Sequence, residues 1–266
     1  MTNPEERMDP WKEALDCYSY FSEDLVTVGQ DWEEEFKWRK IGQVFQEGFE
    51  KSNGDWVLNM ALDMFLHEKD RDKLYYYLKK YEDEPALALP KLKFYDPYRY
   101  QISYFETILL NKKKFKNIKL NGGPDLCIPT LNGKLLEAPN VKVLKIPLFN
   151  YDTTFRTKHV IAKDRARFAR AWFREFNSYD DRGGSTPEKA FNAWFSMIDE
   201  RYKNHTNKFQ IDNHPKFIKN KLQNLNKEQF GFDLFGIKNK KFLFQNPKFF
   251  IRQLRIKQKY SLFNLN

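Results

Sequence analysis

Apolar positions in this chain recur at helical spacing more often than at strict alternation. After Gly54-Asp55, the stretch "WVLNMALDMFLHEKDRDKLYYYLKKYEDE" places Trp56, Met60, Met64, Leu74, Tyr77, Leu78 and Tyr81 on helical faces. The charged run from His67 to Lys73 divides it into two predicted helices. Upstream, Asp9-Pro10 reads as a helix start, with proline at the first helical position. Asp31 is placed to cap "WEEEFKWRKIGQVFQEGF", whose early glutamates suit the positive end of a helix dipole.

Residues 85–99 hold Pro85, Pro90 and Pro97 and read as a stiff linker, followed by a helix over about 98–113. Residues 114–150 change period. Turn signals at Asn121-Gly122-Gly123-Pro124, Asn132-Gly133 and Pro139-Asn140 bracket short apolar runs, and predict a small antiparallel hairpin or meander. Helical spacing returns over 161–204 as a predicted helical hairpin. Thr186 caps its second helix and Pro187 opens it, with Phe191, Trp194, Phe195, Ile198 and Tyr202 on the apolar face. From 205 to 266 the period is lost among Phe, Lys and Asn.

The expected fold class is therefore mainly α. It comprises an acidic helical lobe (1–84), a linker (85–99), a region with a hairpin insert and a helical hairpin (100–204), and an extended basic tail (205–266) that lies along a partner. The 17% aromatic content argues for a folded chain and against wholesale disorder. No apolar run is long enough for a transmembrane segment. The first ten residues, "MTNPEERMDP", carry neither a secretory signal nor an Arg-rich presequence pattern.

Charge changes the picture more than composition does. Residues 1–90 carry 21 acidic and 11 basic side chains, and residues 91–266 carry 15 and 35, so a net of +10 conceals halves of −10 and +20. The halves either attract each other or face different partners. The densest basic stretch is "AKDRARFARAWFREF". On a helix, Lys163, Arg167, Arg170 and Arg174 form a stripe, while Ile161, Phe168, Ala169, Trp172, Phe173 and Phe176 form an apolar face directed at Phe191, Trp194 and Ile198. Arg165 falls on the apolar side and requires a carboxylate or carbonyl partner. These five residues, Lys163, Arg165, Arg167, Arg170 and Arg174, are the candidate partner-binding site.

Chemistry-bearing motifs do not emerge. His67, His159, His205 and His214 show no metal-binding spacing, and no nucleophile elbow, phosphate loop or dinucleotide fingerprint occurs. Glu137 and Lys142 are too far apart for a metal-nuclease strand. Cys17 and Cys127 read as free thiols, with a disulfide between them left open. No cofactor, metal or catalytic residue is expected. The run "KLYYYLKKYEDEP" is similar, over this stretch alone, to the tyrosine run of the PDSW accessory-subunit family of respiratory complex I. That family's cysteine pattern is absent here, and no residue role carries over.

The expected function is a non-enzymatic accessory subunit of a large multiprotein assembly, foremost a mitochondrial respiratory-chain complex. Other protein subunits are its expected partners, and the basic stripe and tail dock it, with anionic lipid as a further contact. Two alternatives stay open: an RNA-associated mitochondrial ribosomal protein and a microtubule-associated structural protein. A cytoplasmic location is the alternative to the mitochondrion.

Overall fold

Ala86–Asp96 (β3) is the strand on which the rest of the molecule is assembled. The computed structural model describes residues 3–30, 32–120, 127–205, 207–239, 251 and 254–255. One edge of β3 pairs antiparallel with Arg99–Asn111 (β4) through a tight turn. Its other edge takes two short parallel strands, Lys142–Val143 (β7) at Leu87–Ala88 and Leu148–Asn150 (β8) at Lys91–Lys93. Trp56–Leu58 (β1) and Asn207–Lys208 (β9) share the far edge of β4, and Met64–Phe65 (β2) adds to β8. Among the described residues, 41% are helical and 19% are in strands, and the seven-stranded mixed sheet curls into a half-barrel. The fold is α/β, which corrects the mainly α expectation.

The corrections have local causes. The expected linker is β3 itself. Pro90 lacks an N–H and would break a regular central strand. It sits where β3 is irregular against β4 and between the segments that pair with β7 and β8. The side-chain parity records this shift: Leu87 and Leu89 face the main core before Pro90, and Leu92 and Phe94 face it afterwards. The helix expected at 98–113 is β4, whose β-branched and aromatic content suits a pleated surface. The helix expected from residue 56 begins only at Arg71–Lys80 (α3). The one expected from residue 32 begins at Lys40–Lys51 (α2), and residues 32–38 are irregular. Asp31 and the turn at 121–124 lie outside the described residues.

Other expectations hold. Trp11–Phe21 (α1) follows Pro10, and Thr130–Leu131 (β5) and Lys134–Leu135 (β6) form the hairpin around Asn132-Gly133. Both turn residues have positive φ, as a two-residue turn of this type demands. Lys158–Phe176 (α4) and Pro187–His205 (α5) form the helical hairpin, and the Thr186 hydroxyl accepts from the Lys189 N–H at 3.4 Å. Cys17 and Cys127 are not joined by a disulfide.

The expected extended tail is corrected over 207–239. Lys216–Gln223 (α6) packs on α1, and Phe230–Asp233 (α7) packs on β3. Ile218, Leu222, Phe230, Leu234 and Ile237 are buried. This stretch completes the core. Of the remainder, only 251 and 254–255 fall within the described residues.

Candidate functional site

A cavity of about 1260 Å³ lies between α1, α2, α3 and the β1 side of the half-barrel. Its walls are mainly apolar, with Leu15, Phe21, Val44, Phe45, Trp56 and Leu74 among them. Among the described residues, ten carboxylate and cationic side chains also line it. Five are cationic (Arg7, Lys79, Lys113, Lys114, Arg156) and five acidic (Asp9, Asp24, Asp55, Asp63, Glu82), so these charges sum to zero. A space of this size exceeds the usual range for drug-sized ligands, roughly 300–1,000 Å³.

A buried ionic cluster forms part of the wall. Arg156 is 2% exposed, and its guanidinium reaches Asp9 Oδ1 through Nε at 3.2 Å and Nη2 at 2.5 Å. Its Nη1 donates to Asp164 Oδ2 at 3.0 Å. Arg7 closes the ring, with Nε 3.2 Å from Asp9 Oδ2 and Nη1 3.6 Å from Asp164 Oδ1. Burial opposes the Arg156 charge, but Asp9, Asp164 and Asp152 outweigh it and raise its pKa. For Asp9 the balance reverses: burial raises its pKa despite the two arginines. Behind this ring, Asp152 accepts from Lys93 at 3.1 Å and Arg165 at 2.9 Å. Burial opposes the Asp152 charge, but Arg165, Lys93 and Arg156 hold its carboxyl well below the ordinary range. Removing one member would leave an uncompensated buried charge, so the set acts as a rigid unit.

The segment connecting α1 to α2 forms an outer wall of the cavity, with Asp24, Leu25, Thr27 and Gln30 exposed. Residues 24–30 and Trp32 line the space from the outer side. Residues 24–29 belong to no helix or strand, and Val26 and Val28 are half-buried while Leu25 and Thr27 are exposed, so one face is turned inward. Gly29 has φ +82°, a left-handed conformation that glycine adopts at little cost.

The sequence-predicted site meets this segment. Arg167 is 3% exposed and donates from Nε to the Glu34 carbonyl at 2.7 Å and from Nη2 to the Glu33 carbonyl at 2.8 Å. Arg170 bridges both Glu35 carboxylate oxygens through Nε, at 3.0 and 3.1 Å. Arg174 donates to the Phe36 carbonyl at 2.6 Å and pairs with Glu35. Arg165 lies on the opposite side, against Asp152 and over the Trp194 ring, and thus has the carboxylate partner its position demands. Lys163 is exposed. Four of the five residues therefore engage the chain itself, three of them through the acidic segment 33–36. Phe168 and Trp172 pack on Phe36 and Trp38, whereas Ile161 joins Phe191, Trp194 and Ile198 and Ala169 joins Ala190, so only part of the expected face meets α5. Phe173 and Phe176 are each 38% exposed.

Sequence reasoning missed Arg7, Asp9, Asp152, Arg156 and Asp164. The available signal was a pair of charges, Asp152 and Arg156, set among Leu148, Phe149, Tyr151 and Phe155 in a run with no other charge. Among the described residues, no group of three or more His, Cys, Asp or Glu is arranged to hold a metal ion, and no helix is long and apolar enough to cross a membrane. No protein-family model, curated protein or solved structure matches the chain.

Proposed function

We propose that this protein binds an uncharged, lipid-sized apolar molecule in the cavity beneath residues 22–30. The observation that carries this reading is the cavity itself: about 1260 Å³, mainly apolar walls, and ionised groups that cancel among the described residues. At a water-sized share of about 30 Å³ per group, such a space holds on the order of forty non-hydrogen atoms. A ligand bearing a net charge would lose its hydration without gaining an uncompensated counter-charge, which disfavours it. The proposed role is binding without catalysis. The Cys17 thiol is pushed up to about 12 by burial, and the Tyr18 hydroxyl is engaged by the Ala61 and Met64 carbonyls.

Titration with pyrene-labelled monoacylglycerol and with pyrene-labelled fatty acid at pH 8 tests the reading. The neutral probe should bind at least about tenfold more tightly, and Ala61→Trp, which places an indole in the cavity wall, should abolish that preference. Equal binding of the two probes, or binding unaffected by Ala61→Trp, would refute it.

A second reading keeps the chain as an accessory subunit of a larger assembly, mitochondrial or cytoskeletal. It is favoured by the exposed Phe173 and Phe176 beside half-buried Trp172 at the end of α4. Both activities could reside in one protein, because this edge and the cavity use different surfaces.

A further inference from the structure

We propose that residues 22–30 are a hinged lid on the cavity, and that the arginines of α4 anchor its far end. This extends the binding reading given above, since a lid has a purpose only where something enters. The cavity half and the anchored half of the connection are held very differently. Residues 33–36 are fixed by Arg167, Arg170 and Arg174, and by the rings of Phe36 and Trp38 against Phe168 and Trp172. Residues 22–30 belong to no helix or strand. Among their contacts, the Asp24 carboxylate accepts the Asn53 N–H at 2.7 Å, and Val26 and Val28 are half-buried where they line the cavity. Val28 Cγ2 lies 3.2 Å from the position a Cβ on Gly48 would take, so the lid rests directly on α2.

Both ends of this stretch lie outside the helices. Ser22 is the extended C-cap of α1, and Gly29 has the positive φ that glycine leaves at little cost. A segment with few apolar contacts and no place in a ladder opens at a small fraction of the global unfolding free energy. The basic stripe of α4 then has a defined role: its arginines satisfy the carbonyls of residues 33, 34 and 36, so the lid swings from a fixed post.

A thiol placed under the lid tests this without any ligand. Val44 is 7% exposed and lines the cavity from α2. In a Cys127→Ser background, Val44→Cys should react with iodoacetamide far faster than the core thiol Cys17, which reports global unfolding in the same molecule. Adding Val26→Ser and Val28→Ser, which weakens the grip of the lid, should speed alkylation at position 44 about tenfold and leave Cys17 unchanged. A parallel rise at both thiols would mean that opening is global and would overturn the proposal. So would an unchanged rate at position 44, since the cavity would then be reached by another route. A second form, Val28→Cys with Gly48→Cys, closes the lid covalently on oxidation and should slow entry of pyrene-labelled monoacylglycerol at least about tenfold, with reduction restoring it; unchanged entry would overturn the proposal. Lid opening by the thiol assay without uptake of the neutral probe would count against the ligand reading and leave the lid standing.

Discussion

His214 is held as a neutral base in the core by two hydrogen bonds of opposite sense. Its Nε2 donates to the Pro97 carbonyl at 2.7 Å, which leaves Nδ1 to accept from the Tyr151 hydroxyl, also at 2.7 Å. Phe94 and Phe209 close over the ring, at 4.7 and 4.8 Å between centroids. Burial pushes its pKa down to about 4 from an ordinary 6.5. The unfolded chain therefore takes up this proton more readily than the folded one. The stabilisation is complete above about pH 6.5 and is lost as the pH falls toward 4, amounting to roughly 3 kcal/mol at the lower end. Urea unfolding of the wild type against His214→Gln should show a steeper loss for the wild type across that window. Parallel curves would contradict this assignment. The sequence gives His214 no distinguishing mark, because its partners lie 63 and 117 residues away. Arg165 is the contrary case: its place on an apolar helical face was enough to require a carboxylate, and Asp152 supplies it.

At the scale of elements, the hairpin of α4 and α5 depends on how closely its connection approaches the second helix. Gly183 has φ +78°, and a Cβ there would stand 2.4 Å from the Lys189 carbonyl oxygen and 2.7 Å from Ala193 Cβ. Gly183→Ala should thus destabilise the fold by at least about 2 kcal/mol through strain and overlap together, measurable as a lowered urea midpoint with unchanged slope. This hairpin was legible in the sequence because its signals are local: Thr186-Pro187 start a helix wherever they occur, and Asn132-Gly133 turn a hairpin in the same way. The sheet was not. β3 acquires its identity from β4, β7 and β8, and Pro85, Pro90 and Pro97 read as a linker until the register shift after Pro90 is seen. The cavity was equally hidden, since its walls come from segments spread over residues 3–168.

For the whole molecule, the acidic half is met in part by the basic half within the fold, and a net of +10 remains. Arg170 and Arg174 pair with Glu35, Lys221 with Glu13, Lys142 with Glu84 and Lys113 with Asp55, besides the buried ring around Arg156. Most of these pairs are at least partly exposed and are worth about 0–1 kcal/mol each, screened by salt. Raising NaCl from about 0.02 to 0.3 M should consequently lower the stability by a total of roughly 1–2 kcal/mol, read from urea midpoints. A stability independent of salt would show that the two halves are held by apolar contact alone.

The ring around Arg156 also imposes an order in time. Asp9 and Arg156 are 147 residues apart, and α6, which covers α1, follows later still. At a synthesis rate of about 5–20 residues per second, Asp9 emerges roughly 7–30 s before its arginine exists. During that interval the apolar side of α1 and the inner face of β3 have no final cover. A nascent chain of this protein is therefore a client for chaperones until its last third has been made, and a messenger slowed ahead of Arg156 would lengthen that exposure.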